Sequence, residues 1–315
     1  MTSSTPSLAR KRPYRPPAPL GGRPRATRRS PIALLFLLPA LVVLIAFVGW
    51  PMLSALRLSF TNASGFGIEE WVGLENYVRI FTDPRILATL GNTAVYTVLF
   101  TPAALLAALL LALLLGNRRL LGRGFFRTAF FLPFIVSLAV AAFAWTYLLD
   151  PQVGLLNYWL RSMGIQLGNV LQDPALAMPT VVLVAIWKSF GFYMVIFIAG
   201  LQEIPESLYE AAKIDGAGAW RRFTNVTLPQ LSNTLAFVVT FAMIAALQAF
   251  DQIYVMTGGG PYRSTQTVVM EIYQEGFKKL DLGGATALSY VLLAATLILS
   301  LVQFRFFGRR EKDTL

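Results

Sequence analysis

The 315-residue chain contains no cysteine and no histidine. The missing cysteines exclude disulfides, a thiol nucleophile and any metal site built from thiolates. The missing histidines remove a common metal ligand and the side chain that most often serves as a general base near neutral pH. No Gly-Lys-Ser or Gly-Lys-Thr triplet occurs either, so the chain lacks the usual ATP-binding phosphate loop. We therefore expect no self-contained hydrolytic site, no metal site and no cofactor in this chain.

Charged residues are also scarce, at 14% of the chain against 56% hydrophobic residues, and the mean hydropathy is +0.59. Asp, Glu, Lys and Arg are absent from five long stretches, and a sixth apolar stretch is interrupted only by Lys188. Each is longer than the roughly 20 residues that a helix needs to cross a bilayer. Continuous rather than alternating apolar runs favour helices over barrel strands. We predict an all-α integral membrane protein with six transmembrane helices, near residues 32–55, 88–115, 126–149, 178–201, 230–256 and 285–307.

Positive charge is distributed unevenly among the segments that connect the predicted spans. Residues 1–29 carry eight Lys or Arg and no acidic residue, and the loop after the second span carries four Arg and no acidic residue. The loops on the other side are mixed, with acidic residues in slight excess. Because Lys and Arg are retained in cytoplasmic loops, both termini are predicted to be cytoplasmic. The net charge of +11 thus reflects membrane topology, and no nucleic-acid partner is expected.

The domain organisation follows from these patterns. Residues 1–30 are rich in Pro, Arg and Ser and lack periodicity, which predicts a disordered, basic cytoplasmic tail. The six-span domain covers residues 31–310, and residues 311–315 form a C-terminal tail. The first apolar run is too long for a cleaved signal peptide and favours a signal anchor. The pair Arg28-Arg29 leaves a twin-arginine export signal as a weaker alternative.

The loop 203–229, between the fourth and fifth spans, is predicted to lie in the cytoplasm and to contain a short helix. Pro205 suits the first turn of a helix, and acidic residues beside it complement the helix dipole. Leu208, Ala211 and Ala212 share one face, and Gly216 provides a C-terminal stop. A second stretch places Trp220, Phe223 and Val226 at helical spacing, and Leu228-Pro229 turns the chain into the fifth span.

This loop helix needs a partner, because about 11 residues are marginally stable as an isolated helix in water. The small side chains of Ala211 and Ala212 allow close approach of another backbone, while Glu210 and Asp215 offer charges to a basic surface. Docking to a protein is the interpretation we favour. The alternative is an amphipathic helix that lies on the bilayer surface.

The same loop resembles the signature segment of the membrane subunits of binding-protein-dependent ABC importers. That segment has Glu-Ala-Ala, then Gly, then Ile-x-Leu-Pro, and this chain has Glu210-Ala211-Ala212, Gly216 and Val226-Thr227-Leu228-Pro229. Val226 replaces the usual Ile, and Asn233 stands where many relatives have a second proline. Four further segments resemble the carbohydrate-uptake branch: Phe126-Arg127-Thr128 to Pro133, Gly154-Leu155-Leu156-Asn157, residues 200–205 and Thr257-Gly258-Gly259-Gly260-Pro261. The Gly-Gly-Gly-Pro loop is similar to the first of two paired permeases, the type found in glycerol-phosphate and oligosaccharide importers.

The resemblance implies a type I importer permease (MetI-like) core of five spans, with the first span peripheral, in the cytoplasmic membrane of a prokaryote. It implies a transport subunit and not an enzyme, with a sugar or sugar derivative as cargo. The implied partners are a second homologous permease, two ATPase subunits that bind ATP and Mg, an extracytoplasmic solute-binding protein and the lipid bilayer. In that family the loop docks to the ATPase and transmits its closure to the spans. The residues of this loop that the resemblance assigns to docking are Glu210, Ala211, Ala212, Asp215, Gly216, Ala217, Phe223, Leu228 and Pro229.

Candidate residues for the substrate path lie in the fourth and fifth spans, whose polar residues approach the substrate in relatives. They are Trp187, Lys188, Tyr193, Gln248, Asp251 and Tyr254. Lys188 is a charge deep within a span, which is costly unless it faces water or a partner. The alternative for Lys188 is a structural ion pair with the second permease, or snorkelling, and the aromatic residues also suit packing or an interfacial belt. Gly258, Gly259, Gly260 and Pro261 either contact the binding protein or form a helix stop and flexible turn.

Other functions remain open at this point. The same machinery could carry glycerol phosphate, polyamines or amino acids. An ion-driven secondary carrier would need intramembrane carboxylates or an ion site, and none lies well inside a predicted span. A membrane enzyme would need clustered catalytic groups, which the sequence does not provide. Residues 266–280 are predicted to form an amphipathic helix on the outer side, with Val269, Ile272, Tyr273 and Phe277 on one face.

Overall fold

The computed structural model describes residues 31–65, 67, 69–116, 120–165 and 168–312. The predicted tail 1–30, residues 313–315 of the predicted C-terminal tail and part of the basic loop after the second span lie outside the described residues. The chain divides into two compact units, one ending at Met52 and one beginning at Leu53. In the first unit, α1 (Pro31–Leu44) continues through Pro39 and leads into a π-helical turn, Ile45–Gly49, and the start of α2 (Trp50–Leu58).

The second unit is built from helices. After α2 these are α3 (Glu75–Thr82), α4 (Pro84–Gly116), α5 (Arg123–Ile135), α6 (Leu138–Leu148), α7 (Leu155–Ser162), α8 (Ala177–Glu203), α9 (Glu206–Ile214), α10 (Ala219–Arg222), α11 (Leu228–Gln230), α12 (Ser232–Leu247), α13 (Asp251–Met256), α14 (Val268–Tyr273) and α15 (Leu282–Lys312). π-Helical turns follow α10, at Phe223–Thr227, and α14, at Gln274–Lys278. Extended pairing in the described residues is limited to two isolated bridges, Thr61 with Trp71 and Ser64 with Asp281. The predicted all-α class is confirmed.

The predicted spans appear as long apolar helices. Within the described residues, five segments are long and apolar enough to cross a membrane: Phe36–Leu58, Pro84–Gly116, Ala177–Glu203, Ser232–Met256 and Leu282–Gln303. The remaining predicted span, 126–149, corresponds to α5 and α6 together, which gives six crossings if this pair counts as one.

That third span is not the continuous helix that the sequence predicts. Its two halves are bent by 96°, because Val136 and Ser137 adopt extended backbone angles between them. Pro133 contributes to the break, since its ring removes a backbone donor and clashes with the preceding turn. α5 therefore ends two residues after the proline, and α6 starts in a new direction.

The bent pair still carries the chain from one end of the bundle to the other. α4 and α8 run parallel, since Gly116 and Leu201 lie together at their C-terminal ends while Tyr96 and Ser189 line one cavity nearer their N-terminal ends. α5 begins where α4 ends, and α8 begins at the opposite end. The described residues between α2 and α4, between α6 and α8 and between α13 and α15 consequently share one end, and those between α4 and α5 and between α8 and α12 share the other.

Close packing around α4 and α8 forms the core of the second unit. Small residues on α4, including the fully buried Ala104, Ala108 and Ala112, allow neighbouring helices to approach. The crossing of α5 and α8 is tighter still, because a Cβ on Gly191 would lie 2.0 Å from the carbonyl oxygen of Phe130. A smaller buried cluster lies at the N-terminal end of α4, where α3, α4, α14 and α15 meet. It contains Ile80, Ile86, Val268, Ala287 and Leu288.

Candidate functional site

The loop between α8 and α12 contains the short helix that the sequence predicts. α9 covers Glu206–Ile214, and Pro205 precedes it as the N-cap residue instead of occupying its first turn. Gly216 has φ +71°, a left-handed conformation that glycine adopts without steric cost. The Gly216 N–H donates to the Lys213 carbonyl (3.0 Å), and the Ala217 N–H donates to the Ala212 carbonyl (2.9 Å). This pair of bonds is a Schellman motif, and it forms the predicted glycine stop.

The chain returns from α9 to the fifth span through a second helical stretch, also as predicted. α10, the π-helical turn Phe223–Thr227 and α11 follow one another. The Tyr209 hydroxyl and the Thr227 hydroxyl are hydrogen-bonded at 3.0 Å, which ties α9 to this return segment. The rings of Trp220 and Phe223 lie 5.7 Å apart. The loop is therefore a braced helical hairpin.

A groove of about 340 Å³ lies between α9 and the return segment. It is lined by Leu208, Ala211, Ala212, Asp215, Ala217, Arg221, Asn225 and Val226. The lining combines small apolar side chains with one acidic and one basic residue. Two large apolar side chains stand exposed beside it, Ile214 at 87% and Trp220 at 75%. A loop that exposes such side chains in water suits a protein partner.

The structure brings together some of the predicted docking residues and separates others. Ala211, Ala212, Asp215 and Ala217 line the groove, and Gly216 closes the end of α9. The other predicted residues lie outside the groove lining: Glu210 is exposed on α9, Phe223 is half-buried on the return segment, and Leu228 and Pro229 are exposed on α11. Arg221 and Asn225 complete the groove and were missed, because only the folding-back of the return segment places them opposite α9.

A second cavity, of about 150 Å³, lies among α4, α6, α8 and the junction of α12 with α13. The predicted path residues Gln248 and Asp251 line it, together with Tyr96, Phe100, Leu138, Ala185, Ser189, Ala245, Ala249, Phe250 and Gln252. The fifth span is interrupted here, since Phe250 has φ −141° and ψ −61°. This interruption puts polar residues at the cavity wall.

Gln252 is a cavity residue that sequence reasoning missed. Its side-chain amide donates from Nε2 to the Tyr96 hydroxyl at 2.7 Å. Its Oε1 is buried without a hydrogen-bond partner, in a residue only 2% exposed. Leaving such an acceptor unpaired is costly, so the atom suits a donor that enters the cavity. The available sequence signal was its spacing of four residues from Gln248, which in an uninterrupted helix would place both amides on one face.

Lys188 does not line this cavity. Its Nζ donates to the Phe134 carbonyl oxygen at 3.1 Å and lies 4.7 Å from the centre of the Phe134 ring. In a continuous helix that carbonyl would accept from residue 138, but the bend after Ile135 leaves it free. Asp251 lies within electrostatic range of the ammonium group. The intramembrane lysine therefore caps the broken end of α5, with a nearby carboxylate stabilising its charge.

The three predicted aromatic path residues also lie away from the cavity lining. Trp187 packs edge-on against Trp145, with ring centres 5.3 Å apart. Tyr193 is 2% exposed and belongs to the packed core. Tyr254 stacks on Phe250 at 5.4 Å and meets Tyr273 edge-on at 5.3 Å, at the end of the fifth span. The geometry thus groups Gln248 and Asp251 but disperses the remaining predicted path residues.

The Gly-Gly-Gly-Pro segment after α13 forms a braced turn. Gly258 and Gly259 both have positive φ, and the bond between Gly260 and Pro261 is cis. The hydroxyls of Thr257 and Thr265 are hydrogen-bonded at 2.7 Å, and Thr265 also donates to the Gly260 carbonyl at 2.8 Å. Gly258 is exposed, whereas Gly259 is buried against Gln266.

Residues after this turn surround a buried carboxylate, Glu271, in α14. Glu271 is 1% exposed and accepts hydrogen bonds from the side chains of Arg263 and Gln266. Lys279 approaches it at 3.9 Å. Burial raises the pKa of Glu271, while the positive charges of Arg263 and Lys279 act in the opposite direction. α14 and the π-helical turn after it occupy the segment predicted to be an amphipathic helix.

Comparison with known proteins identifies the family to which these features belong. Residues 84–312 match the family described as binding-protein-dependent transport system inner membrane component. The chain belongs to this family. The match begins at the first residue of α4, so it includes the last five predicted spans. The family consists of membrane transport components, which confirms the predicted resemblance and the prediction of a transport subunit, not an enzyme.

Curated relatives match almost the whole chain. An sn-glycerol-3-phosphate transport system permease protein, UgpA, from Yersinia pestis is 38% identical over 280 residues, covering 88% of this chain and 94% of the relative. A probable ABC transporter permease protein, YurN, from Bacillus subtilis is 37% identical over 286 residues, covering 90% and 98%.

Solved structures share the fold. One chain of a bacterial ABC transporter involved in the import of the acidic polysaccharide alginate superposes with a TM-score of 0.79. It is 24% identical, and the match covers 89% of this chain and 96% of that chain. A second structure of a bacterial alginate ABC transporter, in complex with an alginate pentasaccharide-bound periplasmic protein, gives a TM-score of 0.78. The predicted type I permease fold is confirmed.

Proposed function

We propose that this chain is one of two paired permeases of an ATP-driven importer for a sugar or sugar derivative. Family membership and the glycerol-phosphate permease relatives support this proposal. A structural neighbour with a sugar-loaded periplasmic protein supports an external solute-binding protein as partner. The other partners are a second homologous permease, two ATPase subunits that hold ATP and Mg, and the lipid bilayer.

The proposed orientation places both termini and the α9 loop in the cytoplasm. Its support is the basic character of residues 1–29 and of the loop after the second span, which belongs to the same end as the α9 loop. The Gly258–Pro261 turn then faces the exterior, where it and the neighbouring residues are available to the binding protein.

The observation that carries the coupling proposal is the braced, exposed hairpin of α9 and its return segment. A helix closed by a Schellman motif and tied back through Tyr209 and Thr227 moves as one body. Its exposed Ile214 and Trp220 and its charged groove provide a contact for the ATPase. Because α11 leads directly into α12, displacement of the hairpin by ATPase closure is transmitted to the fifth span. Alternating access of the spans follows from this rigid-body motion.

Substitutions in the hairpin test the coupling proposal. Gly216→Ala forces a side chain into a left-handed conformation, which costs roughly 1–2 kcal/mol, and we expect ATP-driven uptake to fall several-fold. Gly218→Ala is the matched control, since Gly218 has φ −67° and open space around its Cα. Glu210→Lys reverses an exposed charge, and we expect loss of ATPase co-purification from a protein that still inserts. Wild-type uptake and co-purification in both Gly216→Ala and Glu210→Lys would contradict the proposal.

The cavity near the fifth span favours the hydroxyl-bearing part of a cargo. The Gln252 Oε1 atom and the Asp251 carboxylate both accept hydrogen bonds, and sugar hydroxyls donate them. Phosphate oxygens are chiefly acceptors and could not hydrogen-bond with these two groups. The positive charge of Lys188 within electrostatic range of Asp251 also disfavours a polyamine.

A Gln252 variant tests this assignment. Loss of one hydrogen bond to cargo is worth about 1 kcal/mol, so Gln252→Leu is expected to raise the KM of uptake roughly fivefold. Gln152→Leu, at an exposed site outside this cavity, serves as the control. An unchanged KM in Gln252→Leu would remove the residue from the path. Uptake that follows an ion gradient without ATP would instead indicate a secondary carrier.

A further inference from the structure

The turn after the Gly-Gly-Gly-Pro segment presents an aromatic ring in an unusual way. Tyr262 is 94% exposed, more than any other large apolar or aromatic side chain among residues 36–303 that the structure describes. It has φ +49°, and Arg263 after it has φ +65°. The left-handed region is unfavourable for residues with a side chain, and two consecutive residues persist there only where the surroundings hold them.

Contacts with α4 and α14 hold this backbone in place. The Asn92 side-chain amide, on α4, donates to the main-chain carbonyls of Arg263 (2.8 Å) and Gln266 (3.1 Å). The Arg263 guanidinium, in turn, is paired with the buried carboxylate of Glu271 on α14. The turn is thus fixed to α4 through its backbone and to α14 through a side chain.

Glu271 is the centre of this arrangement. Burying a carboxylate is unfavourable unless charge and hydrogen bonds compensate it, and Arg263, Gln266 and Lys279 all lie close enough to do so. Removing the carboxylate would release Arg263 and weaken the hold on the strained turn. The ring of Tyr262 lies outside this network and is too exposed to contribute to the packing of the turn.

A rigidly presented tyrosine is well suited to protein recognition. Tyrosine is enriched among the residues that dominate binding energy, because its ring fills a pocket while its hydroxyl hydrogen-bonds. Holding the turn in its bound conformation lowers the entropy lost on association. The adjacent Arg263 carries a charge beside the ring, which suits a protein surface better than the acyl chains of a bilayer.

We propose that Tyr262 is the anchor that enters a pocket on the external solute-binding protein, and that Glu271 is the positioning residue that fixes its presentation. This rests on the proposed function, which supplies the partner and the outward orientation of the turn. The partner surface is expected to contain an apolar pocket with a hydrogen-bonding group for the phenol.

The test uses the complete transporter, reconstituted in nanodiscs with its ATPases and titrated with its binding protein. ATP hydrolysis is measured without the binding protein and as its concentration rises. Tyr262→Ala is expected to raise the half-saturating concentration of binding protein roughly tenfold or more, with the basal rate unchanged. Tyr262→Phe should recover most of the affinity. Tyr158→Ala, at a tyrosine 68% exposed on α7, is the matched control and should match the wild type.

Glu271→Gln tests the positioning role. We expect a smaller rise in the half-saturating concentration, and no further rise when it is combined with Tyr262→Ala, because the anchor that it positions is already absent. Additive losses in the double variant would indicate a general structural role and overturn this part of the proposal. If Glu271→Gln fails to assemble, Arg263→Lys replaces it in this test. That variant keeps the positive charge but not the planar guanidinium, and the same smaller rise in the half-saturating concentration is expected.

Three results would overturn the anchor itself. They are an unchanged half-saturating concentration in Tyr262→Ala, an equal rise in Tyr158→Ala, or a proportional fall in the basal rate, which would show an effect independent of the binding protein. Failure of the proposed function is distinguishable, because wild-type hydrolysis would then not respond to the binding protein at all.

Discussion

At the scale of single residues, Lys188 shows how an intramembrane charge can serve structure. The bend between α5 and α6 leaves the Phe134 carbonyl without its helical donor, and the ammonium group supplies one. The Phe134 ring and Asp251 add favourable interactions with the same charge. The lysine and the helix break thus depend on each other, which explains why an expensive residue is placed in an apolar span.

Replacing Lys188 separates this role from cargo binding. Lys188→Met removes the donor and leaves the half-buried Phe134 carbonyl unpaired, so we expect a loss of about 1 kcal/mol in stability. Lys188→Arg, which keeps charge and donors, is the matched control and should lose less. Thermal unfolding of the purified protein measures both. A change in the KM of uptake without a loss of stability would indicate that Lys188 belongs to the substrate path and contradict its structural role.

At the scale of secondary-structure elements, close helix contacts substitute for the hydrophobic effect that drives packing in water. The crossing of α5 and α8 depends on Gly191, where no side chain fits against the Phe130 backbone. The Phe130 and Phe190 rings then pack edge-on beside it, 5.9 Å apart. This contact orients α5 before its break and so sets the direction from which α6 starts.

Alanine substitution of two helical glycines tests the importance of this crossing. Gly191→Ala would place a Cβ 2.0 Å from the Phe130 carbonyl oxygen, so we expect at least the 1–3 kcal/mol typical of overpacking. Gly91→Ala, in α4, meets nothing within 4 Å and should be neutral or stabilising by up to about 1 kcal/mol. Thermal unfolding compares the two. Equal stability of both variants would show that the helices separate at this crossing without cost.

At the scale of the whole molecule, charge distribution and connectivity together define the topology. Parallel α4 and α8 require the bent α5–α6 pair to connect opposite ends of the bundle, despite its 96° bend. The basic loop after the second span then shares an end with the α9 hairpin. The proposed coupling to an ATPase and the proposed docking of a binding protein need these two ends to face opposite compartments.

The absence of cysteine makes this topology directly testable, because single cysteines can be introduced into an unmodified background. We expect Ser162→Cys, exposed on α7, to react with a membrane-impermeant maleimide in intact cells. Leu121→Cys, at a residue 92% exposed in the loop after α4, should react only in inside-out vesicles. The reverse labelling pattern would invert the proposed orientation and remove the α9 hairpin from the reach of a cytoplasmic ATPase.

Several features of the protein follow from the sequence alone, because their signals are local. Long uncharged runs predict the spans, since a bilayer accepts little else. The short α9 and its stop at Gly216 follow from an amphipathic stretch and one glycine. The spacing from Glu210 to Pro229 identifies the family. In each case a segment carries its own physical requirement, whatever surrounds it.

Only the tertiary structure decides the features that join distant segments. Lys188 meets Phe134 because α5 breaks beside α8, and Gln252 meets Tyr96 because the fifth span is interrupted beside α4. Arg263 and Glu271 hold Tyr262 outward only when α4 and α14 are packed together. Such contacts depend on where helices end and cross, and these are set by packing and by the need to satisfy polar groups in an apolar medium, which no single segment encodes.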